Sequence, residues 1–208
     1  MKNKGIQTQR KIVEASLQLF SVKGYYNTSI KDILAATGLT KGGLYGHFAS
    51  KEEIWYAVYN EAVVIWRSIV FNRVRRCRDP LERLDLFINN DLENYLGGDV
   101  FDGGCFFLNM LVELSGQSAD MSRHILRGFV RLSRLLRLWL GEAKENGLLE
   151  ENLNEREVAN FIVITLNGAA ALYISSRDRS ILKQTINQLH CYIQNLKLAG
   201  KTNVEIDP

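Results

Sequence analysis

The side chains best equipped for chemistry are thinly spread along this sequence. Cys77, Cys105 and Cys191 stand far apart, with no CxxC pair and no Cys/His spacing suited to a metal. Three scattered histidines, no His-Glu metal motif, no nucleophile elbow and no glycine-rich phosphate loop leave catalysis without its usual groups. No cofactor and no metal are expected. What is concentrated is positive charge. Residues 1–51 carry eight Lys/Arg against Glu14 and Asp32, a net of +6, while the rest carries 18 basic against 21 acidic residues, a net of −3. A basic head on a mildly acidic body suits a polyanion.

The head holds the most informative stretch, residues 24–54. It reads as two short helices joined by a tight turn at Thr37-Gly38-Leu39. Ile33, Ala36, Leu39 and Leu44 are spaced to form the small core between them, and Gly38 suits the left-handed corner. The second short helix exposes Thr40, Lys41, Gly42, Gly43, Tyr45 and His47. A leading edge of small and hydrogen-bonding groups fits a DNA major groove.

The elements that hold this stretch are all helical. Apolar residues recur at helical spacing over 6–23, and Lys23-Gly24 then stops the helix. Ser29, Thr40 and Ser50 can cap helices over 30–36, 41–47 and from 51 to about 78, the last with Glu53 in a capping box. Further helices are predicted near 81–96, 104–116, 120–145, 154–175 and 178–198. Only Pro80 and Pro208 could interrupt them, and 46% hydrophobic residues suffice for a sizeable core. The fold class is all-α, about nine helices. A three-helix helix-turn-helix domain (1–52) precedes a helical bundle (53–200) and a frayed tail (201–208), with the boundary inside the long fourth helix. No signal peptide is evident, and the apolar runs fall short of the ~20 residues a membrane span needs. A soluble cytoplasmic protein is expected.

Residues 6–55 closely resemble the TetR/AcrR family of one-component regulators. The resemblance rests on Phe20, Gly24, Thr28-Ser29, Ile33, Ala36, Gly38, Leu39, Lys41-Gly42, Leu44-Tyr45, His47-Phe48, Lys51-Glu52 and Ile54. It implies that Ser29, Lys31, Tyr45, His47 and Lys51 contact phosphates, with Thr28 counted in the same DNA-binding set. Thr40, Lys41, Gly42 and Gly43 would face base edges. Phosphate contacts set register, and base contacts discriminate sequence. Gly43 and Gly46 depart from the larger residues common in the family. That leaves Thr40 and Lys41 as the main readers and gives DNA shape a share of the specificity.

The resemblance further implies a C-terminal half that dimerises and holds an effector. Helix 155–175 is apolar around much of its circumference, and the last helix carries its own apolar stripe. Paired with their symmetry mates, these two helices would form a four-helix interface through Phe161, Leu166, Ala169, Tyr173, Ile186, Leu189 and Ile193. Pocket candidates on the middle helices are Trp66, Phe87, Asp91, Phe106 and Phe107, with Asn109, Met110, Phe129, Leu132 and Trp139; each could equally be plain core. Cys105 follows Gly103-Gly104 as in a NemR-like subset. It is either packing at a helix start or, with a lowered pKa, a sensor of electrophiles.

Arg123, Arg127, Arg131, Arg134 and Arg137 form a stripe on one helix, read as a solvated face of which an anionic effector could use part. The expected function is a regulator, commonly a repressor, released from a palindromic operator by a small-molecule or electrophile effector. A helical adaptor for protein partners is the competing reading. A steep salt dependence of duplex binding separates the two.

Overall fold

Six helices begin at residues whose side-chain oxygens take up an orphan N–H of the first turn: Ser29, Thr40, Ser50, Asp79, Asn154 and Asp178. The computed structural model describes residues 2–197. Among them are nine α-helices: α1 (Lys2–Lys23), α2 (Ile30–Thr37), α3 (Lys41–Tyr45), α4 (Lys51–Val70), α5 (Pro80–Asn89), α6 (Phe106–Leu114), α7 (Ala119–Glu145), α8 (Glu155–Ser176) and α9 (Arg179–Asn195). A 3-10 turn (Val74–Arg76) follows α4, and a π-helical segment (Asn90–Leu96) continues α5. An isolated antiparallel bridge joins Leu149 to Lys197. The tail 201–208 lies outside the described residues.

α1 packs on α2 and α4, which closes the basic head around Ile12, Phe20, Ile33, Leu44 and Phe48. α4 then runs into the body and meets the π segment. α7 is the body's central helix, flanked by α5, α6 and α8, and α8 in turn carries α9. By length and composition α8 could cross a membrane; here it is a packing helix between α7 and α9.

The fourth helix stops at Val70, eight residues short of its expected end near residue 78. The reason lies elsewhere in the chain. The amide of Asn90, buried on the π segment, donates to Val70 O at 3.1 Å and to Asn72 O at 3.0 Å. The first is a carbonyl that the helix end leaves without an intrahelical partner, and the second lies in the turn just beyond it. Arg73 then turns the chain through a left-handed conformation, φ 63°. Asn90→Ala removes that cap, and a cost of about 1–3 kcal/mol is expected from two deserted carbonyls. Urea unfolding reads it directly; an unchanged midpoint would mean that water replaces the amide.

Candidate nucleic-acid interface and effector cavity

Helix α2 is fixed by a reciprocal cap. Ser29 Oγ accepts from Asp32 N–H at 3.1 Å, and the Asp32 carboxylate accepts from Ser29 N–H at 2.7 Å and from its hydroxyl at 2.6 Å. The Ser29 hydroxyl, its backbone N–H and the Lys23 ammonium at 3.1 Å hold the Asp32 carboxyl well below the usual range. Gly38 turns the corner at φ 66°, its N–H donating to Leu34 O at 2.8 Å. Thr40 then starts α3, its hydroxyl oxygen accepting from Gly43 N–H at 3.2 Å. The corner therefore closes with local bonds alone, which is why the sequence could announce it.

This arrangement leaves Ser29, Lys31, Thr40, Lys41, Gly42, Gly43 and Tyr45 exposed, with His47 half-buried beside them. A Cβ added at Gly42 would meet nothing within 4 Å, so no internal packing demands that glycine. Two residues of the expected set do other work. Thr28 is fully buried, and its hydroxyl donates to Gly24 O at 2.7 Å; it is a structural residue and cannot reach a phosphate. The Lys51 ammonium donates to Tyr25 O at 2.9 Å and Thr28 O at 3.0 Å, and lies 4.1 Å from the centre of the Tyr25 ring. Its first task is to hold the α1–α2 loop, and burial lowers its pKa. Phe48 is core, whereas Ala36, expected in the small core, is exposed.

In the body a cavity of about 270 Å³ opens between α4, the π segment, the start of α6, α7 and α8. Trp66, Asp91, Cys105, Phe107, Phe129 and Leu132 line it, as expected of pocket residues. Five further candidates, Phe87, Phe106, Asn109, Met110 and Trp139, do not. Phe87 stands behind the wall, 6.3 Å from Trp66 and 6.0 Å from Trp139, ring centre to ring centre. Phe106 and Met110 are fully buried in the core, and the Asn109 amide is spent on Gly103 O at 2.7 Å. Tyr59, Arg67, Tyr95 and Asn167 line the cavity without having been anticipated; Arg131 lines it too, one member of the arginine stripe of which an effector could use part. Tyr59 and Tyr95 sit in apolar helix faces that look like plain core, so no sequence signal marked them.

On the π segment two neighbouring polar residues are both buried, each with its own partner. Asn90 faces the end of α4, while Asp91 faces the cavity and accepts from Trp66 Nε1 at 2.9 Å. Burial raises the Asp91 carboxyl to about 6 against the opposing pull of the indole N–H. Burial likewise pushes the Cys105 thiol up to about 11. The lowered pKa that an electrophile sensor requires is thus reversed here: Cys105 is a neutral thiol in the cavity wall.

The interface candidates divide in the same way. Leu166 lines the cavity, and Ala169, Tyr173, Leu189 and Ile193 are buried inside the protomer, so none of these is a free contact surface. Ile186 is half-buried. Phe161 is 47% exposed and rests 5.0 Å from the Tyr192 ring. With Ile164 (69% exposed) and Leu172 (62% exposed) it forms the outward apolar face of α8.

Two contacts tie cavity to head. The Glu113 carboxylate, on α6, accepts from the backbone N–H groups of Tyr25 and Tyr26, each at 2.8 Å. At the other end of the same loop sits Lys51, so the α1–α2 loop is held by an anion on its donors and a cation on its acceptors. The segment before α6 also presses on α1. Gly103 N–H donates to Ser21 Oγ at 3.2 Å, and a Cβ at Gly103 would lie 1.7 Å from Ser21 O. Gly104, at φ +87°, has Ile174 of α8 on its other side.

Comparison with known proteins agrees with this geometry. A profile described as "Bacterial regulatory proteins, tetR family" matches residues 12–58, and one described as "Tetracyclin repressor-like, C-terminal domain" matches residues 80–189. An uncharacterized HTH-type transcriptional regulator in the lacX 3′ region of Lactococcus lactis subsp. lactis is 30% identical over 183 residues, 88% of this chain and 91% of the relative. The HTH-type transcriptional repressor DhaR of Mycobacterium sp. (strain GP1) is 28% identical over 83% of this chain and 85% of its own length. The crystal structure of a TetR transcriptional regulator from Chloroflexus aurantiacus J-10-FL superposes with a TM-score of 0.89 at 26% identity, covering 95% of this chain and 100% of that one. The chain belongs to the TetR family of helix-turn-helix transcriptional regulators and is a regulator rather than an enzyme.

Proposed function

We propose that this chain is a cytoplasmic repressor that binds a palindromic operator as a homodimer and leaves it when a small molecule fills the cavity. Residues 1–52 read DNA, and residues 53–200 bind the effector and the second protomer. The observation that carries the reading is the shared wall. Cys105, at the N-cap of α6, and Phe107 within it line the cavity, and α6 contributes Glu113 to the grip on the α1–α2 loop. A molecule wedged against the start of α6 moves the same helix that holds the head. Such a ligand shifts the equilibrium only by its differential affinity for the two arrangements. The neutral thiol of Cys105 favours a non-covalent effector over an electrophile.

Dimerisation is supported by the outward face of α8, where Phe161, Ile164 and Leu172 flank Gly168, beside which a second backbone can lie. Two heads held roughly 34–36 Å apart would enter successive major grooves. Thr40, Lys41, Gly42 and Gly43 face the base edges; Ser29, Lys31, Tyr45 and His47, with the remaining ammonium hydrogen of Lys51, face phosphates.

Fluorescence anisotropy on duplex DNA from the gene's own upstream region, against scrambled duplex, tests the reading. A preference of ~10³-fold or more and a steep loss of affinity with salt are expected. Lys41→Ala should cost about 1–3 kcal/mol, roughly 5- to 150-fold in Kd, and relax discrimination at the base it reads. Equal weak binding to all duplexes, persisting after selection from random DNA, would sink the proposal.

A further inference from the structure

The cavity's charges are arranged in an unusual order. Its cations are at the surface: Arg67 and Arg131 are exposed at the cavity edge, the Arg67 guanidinium lying 5.9 Å from the centre of the Phe71 ring. Its one carboxylate is inside. Asp91 is buried on the π segment, and among the described residues its sole hydrogen-bond partner is Trp66 Nε1, on Oδ1. Oδ2 has no such partner, and no Lys, Arg or His of the described residues forms an ion pair with the group. Buried charges are almost always paired, because an unpaired one forfeits its hydration for nothing. The pairing group is therefore to be sought in what enters the cavity. Trp66, Phe71, Tyr95, Phe107 and Phe129 supply ring faces around the same space. Aromatic faces attract a cation and present apolar surface to the rest of a ligand.

We propose that this cavity recognises the cationic nitrogen of an otherwise apolar, aromatic molecule, with Asp91 as its counter-ion. The inference rests on the reading of the cavity as the effector site and adds the effector's chemical class. An amine at the inner end donates to Oδ2 while the Trp66 bond to Oδ1 stays in place. The hydrocarbon part lies among the rings, and any polar tail points to the arginines at the edge. An anionic head has no partner at the inner end, where it would face Asp91.

The test uses the full-length protein without DNA and three probes of one shape: 4-phenylbutylamine, 4-phenylbutan-1-ol and 4-phenylbutyrate. Calorimetry should rank the amine at least tenfold above the alcohol, with the carboxylate weakest. Asp91→Asn keeps an acceptor for Trp66 and should bring the amine down to the alcohol's affinity while leaving the alcohol unchanged. A carboxylate that binds tightest overturns the proposal, as does an amine that binds no better than the alcohol to the wild-type chain or keeps its advantage in Asp91→Asn. The wild-type ranking stands by itself if that variant does not fold. Failure of the parent reading looks different: the amine binds through Asp91, but saturating amine leaves the protein on its operator duplex.

Discussion

Gly103→Ala is expected to unfold at a markedly lower urea concentration than the wild type, with a loss of about 3 kcal/mol or more. The added Cβ would lie 1.7 Å from Ser21 O and 2.7 Å from Ser21 C. Those atoms belong to the backbone of α1, so no rotamer change relieves the contact, and overpacking against fixed atoms costs ~1–3 kcal/mol or more. Retreat is blocked as well. Gly104 sits against Ile174 on α8, where an added Cβ would lie 2.2 Å from Cγ1, and Asn109 holds Gly103 O at 2.7 Å. The segment can escape only by leaving α1 or by unwinding the last turn of that helix. A drop in Tm of roughly 6–12 °C corresponds to that loss in a domain of this size. Gly141→Ala is the control. It lies within α7 with nothing within 4 Å of an added Cβ, so alanine there should stabilise by ~0.5–1 kcal/mol through the unfolded chain and helix propensity. Equal stability of Gly103→Ala and wild type would refute the close approach of this segment to α1.

How much of this was legible in the sequence follows from how local each interaction is. The helix-turn-helix was readable because Ser29, Thr40 and Ser50 accept from N–H groups three residues on, and Gly38 donates to the Leu34 carbonyl four residues back. The end of α4 was not, because its cap comes from Asn90, 20 residues beyond Val70. The π segment was equally hidden: nothing in the residue types over 81–96 announces the wider turn that begins at Asn90. Apolar and aromatic side chains mark cavity wall, interface and plain core alike, and helices apolar on most sides carry them everywhere. Hence Leu166 and Tyr173 were picked for the interface and turned out to point inward, while Ile164, more exposed than either, was passed over. Thr28 was grouped with Ser29 as a neighbour at a helix start. Only the fold shows that one hydroxyl faces solvent and the other is buried beneath the loop.

Glu113 is the residue on which the link between effector and operator should depend most. Two backbone donors need two acceptors, and a carboxylate supplies both at 2.8 Å. Glu113→Gln preserves the shape but offers one oxygen and turns an NH₂ toward the other N–H. The deserted donor should cost about 1–3 kcal/mol, and that energy is lost from the contact through which α6 holds the head. Gly24 shows how closely the carboxylate is seated: its φ is +82°, and a Cβ there would meet the Glu113 oxygens at 2.7 Å. Coupling between two ligands of one protein is typically ~1–3 kcal/mol, or 5–150-fold in affinity. The expected result is that an effector which weakens operator binding in the wild type by a factor in that range changes it by about twofold or less in Glu113→Gln, while its own affinity for the DNA-free protein is retained. Linkage supplies a second readout from the same variant. Operator DNA must weaken effector binding by the same factor by which effector weakens operator binding, so both effects should shrink together. Full coupling in Glu113→Gln would assign the transmission to α4, the other element that runs from head to body, and leave Glu113 a purely structural clamp.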